Sequence, residues 1–338
     1  MDSLTQVRLT RELIDIDSTT PNEIQAGEFI ARMLEGLGYI VTRQPVVDGR
    51  FNVIARTAAD PVVVFSTHFD CVPPFVSSRE ADARVYGRGA CDAKGILLAQ
   101  VAAAEKLRAG GEQRIGLLYV VAEERGSEGA RMANTAAPGS ARFLVNGEPT
   151  DNRLGIATRG VYRVRLRATG RAAHSSLPEL GESAIDKLLD ALIALRTVSW
   201  PEDPVLGRTF YSVGLINGGV APNVISPHAD AELMFRTTGD HADLRRAIES
   251  RVGHLVTIED VLVVPPVRMT TVPGIDSAVF AFTTDIPWLD RWGAPLLLGP
   301  GSVTVAHTDG EYCDIDELLR ARDLYADLAQ RLLAQTTA

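Results

Sequence analysis

Leu9, Leu13 and Ile16 recur at helical spacing with Arg8, Arg11 and Glu12 between them, which predicts an amphipathic helix over residues 4–16. Thr20, Pro21 and Glu23 then read as a helix start: cap, proline at the first position, acid at the third. The helix they open runs from Asn22 to about Leu37, aligns Phe29, Ile30, Met33 and Leu37, and stops at Gly38. Short strands are expected at Ile40–Gln44 and Asn52–Arg56. Pro61–Ser66, Arg114–Ala122 and Ala141–Val145 are nearly unbroken apolar runs, the pattern of strands buried on both faces. Lys94–Arg108 reads as a helix ending at Gly110-Gly111. Strands alternating with helices predict a mostly parallel α/β sheet covered on both sides.

The pattern changes after Gly155. Over Val161–Thr169, Val161, Arg163, Arg165 and Arg167 stand against Tyr162, Val164, Leu166 and Ala168, an alternation of period two that predicts a half-buried antiparallel strand. A helix (182–198), two strands (208–216 and 223–236), a helix (241–253) and a strand (255–264) complete a β-α-β-β-α-β unit, which Pro265-Pro266 closes. The remaining chain returns to strands and helices and ends in an amphipathic helix from Asp316. The expected fold is therefore a discontinuous, mostly parallel α/β domain (1–156 and 267–338) carrying an inserted α+β domain (157–266).

Composition narrows the function without naming it. The 338 residues carry a net charge of −9 and are 46% apolar, values of a globular chain long enough for two cores. The acidic balance argues against a nucleic-acid partner. No apolar run approaches the roughly 20 residues of a membrane helix, and the first residues lack a signal-peptide pattern, so a cytoplasmic protein without a membrane partner is expected. Three cysteines make no disulfide framework.

Reactive groups in open α/β sheets gather where strands end at their carboxyl termini. Three expected strands lead into metal-binding residue types: His68-Phe69-Asp70, Glu123-Glu124, and Asn146-Gly147-Glu148. In His68-x-Asp70 the two side chains share a face of an extended chain, where the carboxylate can take the second imidazole N–H. In Glu123-Glu124 the side chains diverge, so one carboxylate can bind metal while the other stays free as a base. Gly87-Arg88-Gly89-Ala90-Cys91-Asp92-Ala93-Lys94-Gly95 imitates a phosphate loop, but Gly95 stands where Ser or Thr is needed and the glycine spacing differs. Asp92 taken alone reads as a helix cap. Each of these is weak in isolation, as is His307 in Ala306-His307-Thr308-Asp309-Gly310-Glu311.

Together, in this order, His68-x-Asp70, Asp92, Glu123-Glu124, Glu148 and His307 resemble the di-zinc aminoacylase family of metallopeptidases. That family includes acetylornithine deacetylase, succinyl-diaminopimelate desuccinylase and carboxypeptidase G. The resemblance spans essentially the whole chain and implies a zinc-exopeptidase-type catalytic domain with a lid and dimerisation domain inserted. It implies that Asp92 bridges two divalent ions, one also held by His68 and Glu148, the other by Glu124 and His307. Zinc is the family's usual ion; cobalt and manganese suit similar ligands. By the same resemblance Glu123 is the general base that activates a water against an amide carbonyl, and Asp70 orients His68.

In the inserted domain, Gly170-Arg171-Ala172-Ala173-His174-Ser175-Ser176 resembles the family's lid motif, whose histidine reaches the neighbouring subunit's active site. His174 thus implies a homodimer built on the lid. Asn223 and Arg236 match positions that hold the substrate carboxylate, and Gly301 is placed to approach it with its backbone. The activity implied is hydrolysis of an N-acyl-amino acid, most like acetylornithine deacetylase. A dipeptidase or carboxypeptidase, or desuccinylation, is the alternative on the same fold, and a non-catalytic metal-binding scaffold the alternative from another class. Residues 283–292 depart from the family pattern, and Cys71, Cys91 and Cys313 fall beside site motifs, where they are either packing residues or an oxidant-sensitive shell.

Overall fold

The structure is a computed structural model that describes residues 1–336. The described residues form two compact units, one from residues 1–156, 269–278 and the chain from 284 on, the other from 157–268 and 279–283.

The first unit is built on a six-stranded sheet in the order Ile40–Val47, Arg50–Arg56, Ile115–Val120, Val63–His68, Phe143–Asn146, Ala294–Leu297. The last four run parallel, and the first two form an antiparallel hairpin at one edge. Every residue of Val63–His68 and Ile115–Val120 is buried, as the apolar runs require. Alternation divides those residues between two cores. Val63, Phe65, Leu117 and Tyr119 pack with the helices Ser3–Ile14, Ile24–Gly36, Lys94–Ala109 and Ile315–Gln335, whereas Val64, Leu118 and Val120 pack with Leu289 and Trp292. The sheet is thus covered on both faces, as α/β proteins with parallel strands require.

The parallel register lines up the carboxyl ends of three strands. His68 lies opposite Val120, and Ser66 opposite Asn146, so the segments continuing to Glu123-Glu124 and Glu148 leave the sheet beside His68.

One helix start differs from the sequence signal. The second helix begins at Ile24, and Thr20 does not cap it. The Thr20 hydroxyl instead donates to the Asp70 carboxylate at 3.0 Å. A buried carboxylate is a stronger acceptor to satisfy than a half-solvated helix end.

The second unit holds a four-stranded antiparallel sheet in the order Phe210–Gly218, His228–Thr237, Gly160–Thr169, Thr257–Val264. Tyr162, Val164 and Leu166 pack with Leu188 and Leu195 of helix Ala184–Leu195 and Leu244 and Ile248 of helix His241–Val252. On the other face, Arg165 pairs with Glu232 and Arg167 with Glu259. Strand Phe210–Gly218 lies at the edge and is exposed along almost its whole length. Among the described residues no helix is long and apolar enough to cross a membrane.

Candidate metal centre

His68 ends its strand fully buried. Its Nδ1 lies 3.0 Å from the main-chain carbonyl of Asp70 and 3.5 Å from that residue's carboxylate. A carbonyl can only accept, so Nδ1 carries a hydrogen and Nε2 is the metal-facing nitrogen. Nε2 meets Asp92 Oδ1 at 3.0 Å. The other Asp92 oxygen lies 3.3 Å from Nε2 of His307, which also meets Glu124 Oε1 at 3.0 Å. One carboxylate thus sits between two imidazoles, and it is not a helix cap: the helix opens at Lys94 without a side-chain cap.

Glu123 and Glu124 follow Ala122, whose φ is +62°. That left-handed residue, two positions past the strand's end at Val120, turns the chain, so the two glutamates lie on a turn and not on extended chain. The turn is fixed by Asp70, whose carboxylate accepts the N–H of Glu123 at 3.0 Å and of Glu124 at 3.1 Å. The sequence reading gave Asp70 the task of holding His68 by its carboxylate. The closer contact to His68 is instead Asp70's carbonyl, because the carboxylate oxygens are taken by the turn and by Thr20. The Glu123 carboxylate accepts no hydrogen bond among the described residues.

Glu148 is buried, with Oε1 lacking any hydrogen-bond partner. Its turn is pinned by Gly147, which donates to Ser66 O at 2.7 Å and accepts from the Thr67 hydroxyl at 2.8 Å. A further carboxylate, Asp285, is buried nearby with Oδ1 unpartnered. Sequence reading missed it. The only signal was an acid just after Thr283-Thr284, at the start of the segment that departs from the family pattern.

The electrostatics follow from this crowding. Burial, reinforced by Glu148, Asp285 and Glu124, pushes the Glu123 carboxyl well above the ordinary range against the pull of His68. Burial does the same to Glu148, with Asp92, Asp285 and Glu124 adding to it, and lifts Asp285 to about 7. Asp92 goes the other way: burial opposes ionisation, but hydrogen bonds to His307 and His68 outweigh it. Asp92 and then Glu124 raise His307 to about 10. His68 is raised too, against burial, by Asp70 at its Nδ1 and Asp92 at its Nε2, so both imidazoles face carboxylates that favour a cation there.

The donor set fits divalent ions. His68, Asp92 and Glu124 present ligand atoms all within 4.8 Å of one another. His307 adds a second imidazole on the far side of Asp92, and Glu148 offers a buried oxygen with no other use. Imidazoles with carboxylates suit zinc, cobalt or manganese. The thiols take no part. All three cysteines are buried; burial lifts Cys71 to about 11 and pushes Cys91 and Cys313 well above the ordinary thiol range. Such thiols are inert, which favours packing over an oxidant-sensitive shell.

The remaining residues singled out in the sequence lie as follows. Gly301 has φ +79°, and its N–H donates to Glu317 at 3.2 Å, so that amide is already committed within the fold. In the second unit, His174 is exposed, with Nδ1 2.8 Å from the Ser176 hydroxyl and its segment bridged to Val224. Asn223 is exposed, and its carbonyl accepts from Ser175 N–H at 3.0 Å. Arg236 is half-buried opposite Phe210 and Val161, and makes no ion pair among the described residues. Burial and Arg159 lower its pKa, the mark of a cation without a counter-ion.

Comparison with known proteins agrees with this architecture. Residues 64–331 match peptidase family M20/M25/M40. A probable carboxypeptidase of Aspergillus terreus is 35% identical over 366 residues, covering 95% of this chain and 84% of its own. The structure superposes on aminopeptidase PepT of Bacillus cereus with TM-score 0.80 at 19% identity, over 98% of this chain and 99% of that one. It also superposes on a Bacillus subtilis protein described as a dinuclear metal-binding M20 peptidase, with TM-score 0.73 at 16% identity and 99% of each chain covered.

Proposed function

The chain belongs to peptidase family M20/M25/M40, a family of metal-dependent hydrolases, and from that premise we propose that it cleaves the amide bond of a dipeptide or of a peptide's C-terminal residue. The relatives named as probable carboxypeptidases favour this over acetylornithine-type deacylation, the reading that the sequence placed first. The observation that carries the proposal is the Asp92 carboxylate held between the Nε2 atoms of His68 and His307, with Glu124 on the second imidazole.

In the proposed reaction, His68, Glu148, Asp92, Glu124 and His307 would hold the divalent ions, with Asp92 between the two imidazoles. Zinc is the ion proposed. Ions in such a site polarise the scissile carbonyl and acidify water. Glu123, with no hydrogen bond to tie its carboxylate, takes the water's proton and later delivers it to the departing amine nitrogen. Asp70 fixes the turn from which Glu123 reaches out. Arg236, a half-buried cation without a carboxylate partner, is the group proposed for the substrate's carboxylate, with Asn223 beside the lid motif assisting it. Arg suits that task because its planar fork can hold both oxygens. His174 is proposed to act on the reacting carbonyl of a neighbouring copy.

The test is a panel of dipeptides, C-terminally extended peptides and N-acetyl-amino acids assayed with zinc or cobalt, alongside Glu123→Gln. The variant should retain its metal content and lose about 10²–10⁴ of turnover. Turnover within tenfold of wild type removes Glu123 as the base. A wild type that cleaves only the acetyl-amino acids restores the deacylase reading, and one that binds metal but cleaves nothing supports a scaffold.

A further inference from the structure

Four positions beyond His307, Glu311 is only 2% exposed, and nothing in amide hydrolysis uses it. Its carboxylate is saturated. Oε1 accepts the backbone N–H groups of Gly89 at 2.9 Å, Cys91 at 3.1 Å and Asp92 at 3.2 Å. Oε2 accepts Nη1 of Arg88 at 2.7 Å. The same Arg88 nitrogen donates to the carbonyl of Thr308 at 3.2 Å, and Arg88 Nε donates to Pro74 O at 3.2 Å. The main chain adds a bond from Gly87 N–H to Glu311 O at 3.1 Å.

These bonds have a particular address. Glu311 and Asp92 are 219 positions apart in the chain, yet Glu311 accepts the amide of Asp92 itself. Arg88 grips the carbonyl of the residue that follows His307. One buried carboxylate–guanidinium pair therefore ties the segment carrying Asp92 to the segment carrying His307. His307 needs such a tie: it has φ +62°, a conformation that local chain preferences do not hold, and its side chain is half exposed. Burial and the neighbouring Asp92 raise the Glu311 carboxyl, against the pull of Arg88 and the Asp92 and Cys91 amides.

We propose that Glu311 is a positioning residue: with Arg88 it sets the separation of Asp92 from His307, and so the affinity of the ion that those two hold with Glu124. This rests on the metal reading of the same site. A merely structural pair would change unfolding but leave the metal affinity of the folded protein alone. The positioning role predicts a selective loss at one of two ion sites.

The experiment titrates Zn²⁺ against a chromogenic chelator, using the full chain and Glu311→Gln, and follows Co²⁺ absorption as a report on ligand geometry. Wild type should bind two ions. E311Q, which turns one acceptor into a donor, should unfold cooperatively, bind its second ion at least about tenfold more weakly, and alter the cobalt spectrum. Excess Zn²⁺ should restore much of its turnover. A folded E311Q that binds both ions within twofold of wild type overturns the proposal. If E311Q does not fold, Arg88→Lys decides. It keeps the charge and leaves Glu311 with its three amides, but loses the Nε bond to Pro74 that fixes where the donor to Glu311 and Thr308 sits. Unchanged affinity for the second ion in R88K overturns the proposal, and a weakened one supports it. Wild type that binds no metal would sink the metal reading itself, a result distinct from either variant's failure.

Discussion

Asp70 serves the centre with two different groups. Its carbonyl holds the His68 ring, and its carboxylate holds the backbone of the next two glutamates and the Thr20 hydroxyl. Asp70→Asn keeps the carbonyl and the shape but replaces one acceptor by a donor. At least one of those three buried donors then faces an NH₂ group. Removing a buried partner costs about 1–3 kcal/mol, so the denaturation midpoint should fall accordingly. The turn carrying Glu123 should also loosen, lowering kcat by about 10–100-fold, the range typical of lost support around a metal site, with less change in KM. Steady-state kinetics beside a urea titration would check both, and an unaltered kcat would mean that the turn does not depend on Asp70. At this scale the sequence is readable in residue type and order, because ligand chemistry needs imidazoles and carboxylates at strand ends. It is silent on how a support residue acts. His-x-Asp spacing suggests a side-chain contact, but the backbone turn at Ala122 brings two amides to that carboxylate, and no spacing rule reveals this.

Elements are legible where burial is complete and less so where turns decide. The run over Pro61–Ser66 covers the first four residues of the central strand Val63–His68, and Arg114–Ala122 contains Ile115–Val120, because strands buried on both faces are largely apolar. Thr20-Pro21-x-Glu23 misleads because a capping residue and a buried hydroxyl donor look alike in one dimension. The segment around Asp285 gives no periodic signal, being short 3₁₀ turns at Ile286–Trp288 and Asp290–Trp292. Glycines separate packing from propensity at this scale. In helix Lys94–Ala109, a Cβ on Gly95 would lie 2.2 Å from the carbonyl of Ala90, in the loop that delivers Asp92. Gly36 ends helix Ile24–Gly36 with nothing within 4 Å. Gly95→Ala should therefore lower stability by about 1–3 kcal/mol through overpacking and weaken metal binding. Gly36→Ala should be neutral or stabilise by up to about 1 kcal/mol. Calorimetry with zinc titration of both variants compares them directly; equal melting temperatures would remove the packing argument at Gly95.

At the scale of the whole molecule, the unresolved demand is the open edge of the second unit's sheet. Strand Phe210–Gly218 pairs on one side only, and its residues include no Lys, Arg, Asp, Glu or Pro. Proteins usually guard a free edge with such residues, because its unpaired N–H and C=O groups template association. Here Leu215 is 57% and Ile216 55% exposed, and Ile193 on the neighbouring helix Ala184–Leu195 is exposed as well. An apolar, unguarded edge fits pairing with the same strand of a second copy, an arrangement in which each surface meets itself and the assembly closes. The sequence implied a dimer only through the resemblance around His174, whereas the edge supplies a physical reason of its own. Leu215→Arg places a charge where that pairing would bury it. Because Leu215 is exposed within one chain, the variant should melt within about 0.5 kcal/mol of the wild-type subunit's own stability. Sedimentation should find wild type as a dimer and L215R as a monomer. If His174 serves a neighbouring copy, the monomer should also bind both ions normally yet lose turnover. A monomeric wild type with full activity would end both claims, and an active L215R monomer would end the one about His174.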